Sequence, residues 1–309
     1  MTGKIAIVGS NMVDLITYTD RMPVPGETIE APRFEMGCGG KGANQAIAAA
    51  RLGADVMMVT KVGDDIFADN TIHNFEKSGI DTRFVDRVAG TSSGVAPIFV
   101  EPSGENSILI IKGANATLSP ADVDRAADAL RECDLIVMQQ EIPLETIYYT
   151  IAFGARHGIE TLFNPAPADP DLDTRKIEAV TFLVPNQTEL ATISGQKVEN
   201  DKDAEAAARS LIAGGIRTVI VTLGSRGALL ITSNESPRRI EPVQVTPVDT
   251  TGAGDAFIGS FAHYYLENRD IDAALHKAVR YAADSITRPG TQKSYATKSK
   301  FEDFCKNHE

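Results

Sequence analysis

The run Asp249-Thr250-Thr251-Gly252-Ala253-Gly254-Asp255-Ala256-Phe257 joins a β-like stretch, Val243 to Val248, to an apolar segment that reads as a helix to about Leu266. Glycines permit the tight turns that bring several backbone N–H groups together at a helix start. Such a nest suits the charge that builds on a transferring phosphoryl group. Asp255 then falls in the first turn, beside the anion, where its carboxylate can take a proton from a hydroxyl. The same spelling also fits a capped helix whose Asp only complements the helix dipole. Alone, the motif leaves both readings open.

A second glycine-rich segment is Gly37-Cys38-Gly39-Gly40-Lys41-Gly42-Ala43-Asn44. It contains G-x-G-x-x-G, but it follows an irregular stretch rather than the first buried strand, and no acidic strand end follows where a dinucleotide site needs one. A polar loop for sugar hydroxyls fits better, with glycines for close approach and Lys41 and Asn44 as donors. A plain turn before a helix remains the alternative. Thr222-Leu223-Gly224-Ser225-Arg226-Gly227 follows an apolar strand and could lie under a nucleotide, or be only a strand-turn-strand. Asn186-Gln187-Thr188-Glu189 offers oxygens at helical spacing for metal-bound water, or simply a helix cap with a first-turn acid. Glu141 follows Gln139-Gln140 at another strand end. The five histidines make no i, i+4 pair, and neither G-x-S-x-G nor G-x-x-x-x-G-K-[ST] occurs.

The elements that position these groups alternate. Ile5 to Val8 is a buried strand, Gly42 to Leu52 a helix stopped by Gly53, and Val56 to Thr60 a strand. Asp64 can cap a helix to about Lys77, and Ser119-Pro120 opens one that reaches about Arg131. Strands at Leu135 to Met138, Thr161 to Phe163, Phe182 to Val184 and Val219 to Thr222 are separated by helices over Leu144 to His157 and about Asp203 to Ala213. Lys298 to Lys306 reads as a closing helix. This order predicts an α/β fold with a doubly wound, mostly parallel sheet. Two insertions, at about 14–37 and 91–113, look like β without helices. Val95 to Val100 and Ser107 to Lys112 flank Pro102-Ser103-Gly104-Glu105, a hairpin signal, and both insertions could pair into a small separate sheet. Ligands of open parallel sheets sit at the carboxyl ends of the strands. Asn11, Asp14, Glu141, Asn186 and Gly224-Ser225 all fall there.

The 309 residues suffice for one large domain with insertions. A net charge of −12 argues against sequence-independent nucleic-acid binding. No apolar run is long enough to span a bilayer, and no signal-type leader is visible. Three cysteines without metal spacing fit reduced thiols in the cytoplasm.

Taken together, the chain resembles the ribokinase-like carbohydrate kinases over nearly its whole length. The matching pieces are Gly9 to Asp14, Pro25-Gly26-Glu27-Thr28, Gly39 to Gln45, Gly63-Asp64-Asp65, Gly113-Ala114-Asn115, Asn164-Pro165-Ala166-Pro167, Pro185 to Glu189, Thr222 to Gly227 and Asp249 to Asp255. The resemblance implies a single doubly wound domain with a small β-sheet lid and, in many members, a lid-to-lid homodimer. It implies ATP and a pentose as partners, with Mg²⁺ and K⁺. By position, Asp255 matches the catalytic base, and Gly252, Ala253 and Gly254 the anion hole. Met12, Asp14, Gly39, Gly40, Lys41, Asn44 and Glu141 match the sugar side. Asn186 and Thr222 through Leu223, Gly224, Ser225, Arg226 and Gly227 match the nucleotide side, with Gly254 between. Glu189 matches the acid tied to magnesium through water. Asp249, Thr251, Ser285, Arg288, Gly290 and Ser294 match a monovalent-cation site.

One departure bears on the substrate. Family members that take ribose have Asn two residues before the sugar-binding Asp; here that place is Met12, and the Asn lies one earlier, at Asn11. A thioether cannot replace an amide as partner to a sugar hydroxyl, but it can cover a CH₂. The local text Gly9 to Asp14 resembles the deoxyribose-specific branch, so 2-deoxy-D-ribose is the expected substrate and D-ribose the alternative. The rival classes are a nicotinamide oxidoreductase and a sugar-binding regulator.

Overall fold

The computed structural model describes residues 3–102 and 106–308. In chain order, β1 (Lys4–Val8), β2 (Met12–Tyr18) and β3 (Arg33–Gly39) precede α1 (Lys41–Arg51), β4 (Asp55–Val62), α2 (Ile66–Lys77) and β5 (Asp81–Arg87). The next stretch holds β6 (Val95–Val100), β7 (Asn106–Ile108), α3 (Pro120–Arg125), α4 (Ala127–Leu130), β8 (Leu135–Gln139), α5 (Leu144–His157) and β9 (Glu160–Asn164). β10 (Phe182–Leu183), α6 (Gln187–Ser194), α7 (Asp201–Ala213), β11 (Thr218–Thr222), β12 (Ala228–Thr232) and β13 (Arg238–Ile240) follow. α8 (Ala253–Asn268), α9 (Ile271–Ser285) and α10 (Lys298–Asn307) complete the described chain.

The large sheet has nine strands in the order β13-β12-β11-β10-β9-β8-β1-β4-β5. It is parallel from β5 to β11, and only β12 runs against its neighbours. Each inner strand feeds both faces. Ile5 and Ile7 of β1 join one core with α1, α8 and α9, while Ala6 and Val8 join the other with α5 and α7. The same alternation splits Leu135 and Val137 from Ile136 and Met138 on β8. Burial on both faces is why these strands are spelled as unbroken apolar runs. Strand order reverses around β1: the chain moves outward to β4 and β5, then returns to β8 on the other side. The carboxyl ends of β1 and β8 therefore border the crevice in which open α/β sheets hold ligands.

The two insertions pair into a second, four-stranded sheet in the order β3-β2-β6-β7. β2 aligns antiparallel with β3, from Met12 opposite Gly39 to Tyr18 opposite Arg33, and parallel with β6. This lid begins only three residues after β1, so its root lies at the crevice.

Several expectations move. The strand expected over Ser107 to Lys112 is shorter, Asn106–Ile108, with Ile111 bridged singly to Val95. The turn expected at Pro102 to Glu105 falls partly outside the described residues. The cap of α2 is Asp65, whose Oδ1 accepts from the Phe67 amide (3.1 Å) while its carboxylate also clamps Ser93. The helix from Pro120 breaks at Ala126 into α3 and α4. Val243 to Val248 forms no strand. Pro242 precedes it and Pro247 falls within it, and proline has no N–H for a ladder.

Candidate active site

β1, β2, α1, β8 and α8 bring the polar groups together. Gly40 caps α1 at φ +87°, and a Cβ there would lie 2.7 Å from the Met12 amide nitrogen. Only glycine allows the lid root and the start of α1 to touch this closely. The Lys41 amide then donates to Glu141 Oε2 (2.9 Å), which also accepts from Ser10 Oγ (2.6 Å). The carboxylate thus sits on the positive end of α1. Burial pulls the Lys41 ammonium down, but Asp255, Glu141 and Glu189 outweigh it and hold its pKa above the ordinary value.

Asp255 lies in the first turn of α8 and is 6% exposed. Asn44 Nδ2 donates to its Oδ2 (2.9 Å) and Gln45 Nε2 to its Oδ1 (3.0 Å). The loop before α8 turns through Gly252 at φ +77°, where a Cβ would collide with Thr291 and lie 2.7 Å from the Tyr295 hydroxyl. That hydroxyl donates to the Gly252 carbonyl (2.9 Å). The Ala253 amide is already used, donating to the Thr250 carbonyl (3.3 Å). Among the described residues, the amides of Gly252, Gly254 and Asp255 have no acceptor. Nothing lies within 4 Å of where a Gly254 side chain would begin. Three backbone donors at the start of α8 are thus unused, with open space at Gly254, an arrangement that can hold an anion.

On the lid, Asp14 is half-buried, and no hydrogen bond reaches its carboxylate among the described residues. Burial, with Glu141 and Asp255 nearby, pushes its pKa up to about 7. Met12 is 2% exposed yet belongs to neither core of the large sheet. Asn11 does not stand in for it. The Asn11 amide donates to Thr60 Oγ1 (2.8 Å) and the Lys61 carbonyl (2.7 Å), and its backbone is bonded on both sides by Asn115. The Asn11 amide nitrogen is committed to β4, while its Oδ1 is buried with no partner among the described residues.

The nucleotide-side candidates meet elsewhere in the crevice. Asn186 and Thr222 form a parallel bridge. Asn186 and Glu189 make a reciprocal capping box at α6, with three bonds of 2.8 Å. Burial raises the Glu189 pKa, and Lys41 only partly offsets it. Gly224–Arg226 is a 3₁₀ turn. Its Leu223, Arg226 and Gly227 amides are bonded internally, so Gly224 and Ser225 are the residues with free amides among those described. The Arg226 side chain is held by Asp201 (3.0 Å) and Gln187 (2.6 Å), and that of Leu223 is buried.

The cation candidates lie behind the α8 loop. Asp249 Oδ1 accepts from the Thr251 amide and Oδ2 from the Gly290 amide, both 2.9 Å. Burial opposes ionisation there, but these bonds hold the carboxyl below its usual value. Arg288 pairs with Asp284 (2.9 Å) and donates to the Ser294 carbonyl (3.0 and 2.7 Å). Ser285 Oγ donates to the Ala282 carbonyl and Ser294 Oγ to that of Thr291, both 2.8 Å. The Ser294 carbonyl is therefore occupied, and its hydroxyl oxygen remains. Among the described residues, no cluster of three or more His, Cys, Asp or Glu side chains is arranged for a metal.

Sequence reasoning did not find Gln45, Gln139, Gln292 or Asn164, which surround Asp255 and Asn44. A signal was present for three of them: Gln139 and Asn164 are polar residues ending inner strands, and Gln45 and Asn164 fall in the family-matching pieces, though none was given a role.

The geometry agrees with comparison to known proteins. A profile described as pfkB family carbohydrate kinase matches residues 2–298. A deoxyribokinase of Salmonella typhi is 56% identical over 305 residues, 99% of each chain. A ribokinase of Mus musculus is 38% identical over 297 residues, 95% of this chain and 92% of that one. The ribokinase structure from Thermotoga maritima matches with TM-score 0.89 and 35% identity over 99% of this chain and 100% of that one. That of Arabidopsis thaliana, complexed with ribose and ATP, matches with TM-score 0.93 and 27% identity over 99% of each. With a doubly wound sheet, a β lid and a Gly-x-Gly-Asp helix start at their junction, this chain belongs to the pfkB family of carbohydrate kinases.

Proposed function

We propose that the protein transfers the γ-phosphoryl group of ATP to the 5-hydroxyl of 2-deoxy-D-ribose. The observation that carries the reaction is Asp255, held by two amide donors beside three free backbone N–H groups. The hydroxyl oxygen attacks the γ-phosphorus, its proton passes to Asp255, and the bond to the bridging oxygen breaks to release ADP. The amides of Gly252, Gly254 and Asp255 stabilise the charge in flight. Lys41, between Glu141 and Asp255, neutralises the approaching phosphate. Gly39, Gly40, Asn44, Asp14 and Glu141 hold the sugar. ATP lies across Asn186, Thr222 and the Gly224-Ser225 amides. The lid excludes water, the competing acceptor.

Glu189 fits a water-linked Mg²⁺: it is a carboxylate made uncomfortable by burial, next to where the phosphates arrive. Bound there, the ion would neutralise phosphate charge. Asp249 fits K⁺, since its anionic carboxylate ties together the two loops that carry the Thr251, Arg288 and Gly290 carbonyls.

Deoxyribose is preferred because Met12 replaces the amide that would meet a 2-hydroxyl, and Asn11 is locked onto β4. The deoxyribokinase relative at 56% identity supports the same choice. D-Ribose is the second reading, favoured by Asp14, whose free carboxylate can reach a 2-hydroxyl. Measuring kcat/KM for both sugars with ATP, by ADP release, tests the assignment; a preference for ribose replaces it with a plain ribokinase.

The lid also supports a homodimer. Phe34 is 59% exposed and Leu109 61%, with Met36, Ile110 and Ile111 also open, and soluble proteins usually cover such a patch. A monomer by light scattering at working concentration contradicts this. No helix is long and apolar enough to cross a membrane among the described residues, and the three free cysteines fit a reducing cytoplasm.

A further inference from the structure

We infer that Gln45 is a positioning residue for this reaction, and that two relays of side-chain amides hold Asp255 as a proton acceptor. The inference rests on the phosphoryl transfer proposed above and adds the groups that aim its base. Gln45 is fully buried. Its Nε2 carries two hydrogens and has two acceptors, Asp255 Oδ1 (3.0 Å) and Asn164 Oδ1 (3.3 Å). The orientation of Asn164 is set by its Nδ2, which donates to the Val184 carbonyl (2.9 Å), an oxygen that can only accept. Asn164 therefore shows its oxygen to Gln45, and Gln45 shows its nitrogen to Asp255. Gln45 Oε1 accepts in turn from Gln139 Nε2 (2.7 Å).

The second relay arrives from the other side. Asn74 Nδ2 donates to Gln292 Oε1 (2.8 Å), Gln292 Nε2 to Asn44 Oδ1 (2.9 Å), and Asn44 Nδ2 to Asp255 Oδ2 (2.9 Å). Both relays run donor to acceptor and end on different oxygens of one carboxylate. Turning one amide around would set like groups face to face in buried space, which native structures avoid. Gln139 carries a cost for this order: its Oε1 is buried with no partner among the described residues. A half-satisfied buried amide suggests that its other half has a task. Mere packing could be met by any side chain of the right volume. Donors on both oxygens fix the orientation of the carboxylate and leave a defined lone pair for the sugar hydroxyl.

The charged and titratable groups facing Asp255 are Lys41 from α1, Asp14 from β2, Glu141 after β8, Glu189 from α6 and Tyr295 ahead of α10. The variants that follow alter none of them.

The test is kcat against pH with saturating ATP and 2-deoxy-D-ribose for wild type, Gln45→Met, Gln45→Glu, Gln139→Met and Asp255→Asn. Gln45→Met should lower kcat roughly 10- to 100-fold near neutrality, the worth of one hydrogen bond to a charged acceptor. Its acid limb should move up by roughly one pH unit, KM for ATP should hold, and activity should recover at high pH. Gln45→Glu, which sets a second carboxyl against Asp255, should move the limb further. Gln139→Met, one amide removed, should move it in the same direction by less. A Gln45→Met protein with an unmoved limb overturns the inference, whether or not kcat falls, because packing alone would then account for Gln45. If that variant does not fold, Gln139→Met decides on the same limb, and an unmoved limb there overturns it too. Near-normal turnover by a folded Asp255→Asn, or none by wild type, overturns the reaction instead.

Discussion

Two carboxylates of the same crevice are prepared in opposite ways. Asp255, between α1 and α8, receives an amide donor on each oxygen before any ligand arrives. Asp14, on the lid, is half-buried and receives none among the described residues, and burial pushes it up to about 7. In the proposed reaction the base is aimed before the sugar arrives, and α1 supplies its partners, Asn44 and Gln45. The carboxylate proposed to bind sugar keeps its hydrogen-bonding capacity for the hydroxyls of the ligand. The lid holds the unsatisfied group, and the start of α8 holds the satisfied one.

The largest effect should come from removing the prepared group. Asp255→Asn should keep the fold and ATP binding and lose roughly two to four decades of turnover, the worth of a positioned general base. Near-normal kcat in a folded variant would end the contrast. Next in size is the lid-root specificity. Leaving one buried hydroxyl unpaired costs about 1–3 kcal/mol, a roughly 5- to 150-fold preference for deoxyribose over ribose. Asp14 and water can reach that hydroxyl, so the lower end is expected. Met12→Asn should move the ratio toward ribose while ATP saturation stays unchanged, and a static ratio removes Met12 from the account.

The third test uses pH. With Asp14 raised to about 7, the free enzyme must release a proton to accept the sugar hydroxyls, so kcat/KM for the sugar should climb up to about 10-fold per pH unit below 7 and level above it. The stability sign is the reverse. A carboxyl whose folded pKa exceeds its unfolded value binds more protons when folded, so stability falls as pH rises from about 4 to about 7. Asp14→Asn should therefore raise the ligand-free melting temperature at pH 8 and leave it unchanged near pH 4, while weakening sugar binding. An Asp14→Asn protein less stable at pH 8 would show that the carboxylate has partners after all. The smallest effect concerns the loop behind α8. K⁺ should activate a few-fold more than Na⁺ at equal ionic strength, because carbonyl oxygens around Asp249 suit a larger ion. Equal rates in KCl, NaCl and a large organic cation would remove that site.

The sequence by itself determined the architecture and pointed to the groups proposed to react. Strands buried on both faces must be apolar throughout, so the alternation of runs such as Ile5 to Val8 and Leu135 to Met138 with helices spelled a parallel sheet. The glycines at Gly40 and Gly252 are demanded by local backbone geometry, so local text pointed to Asp255 and to the loop before α1. What only the tertiary structure decided were the partners. Gln45 and Gln292 lie 210 and 37 positions from Asp255, Gln139 lies 94 from Gln45, and no periodicity links them. The direction of each amide is settled by acceptors such as the Val184 carbonyl, on a different strand. The fate of Asn11 was equally hidden, because one residue's shift along the chain turns a side chain from the sugar side to β4. Hydrogen bonds between distant segments have no sequence period, and in this crevice they separate a carboxylate with a donor on each oxygen from one that has none among the described residues.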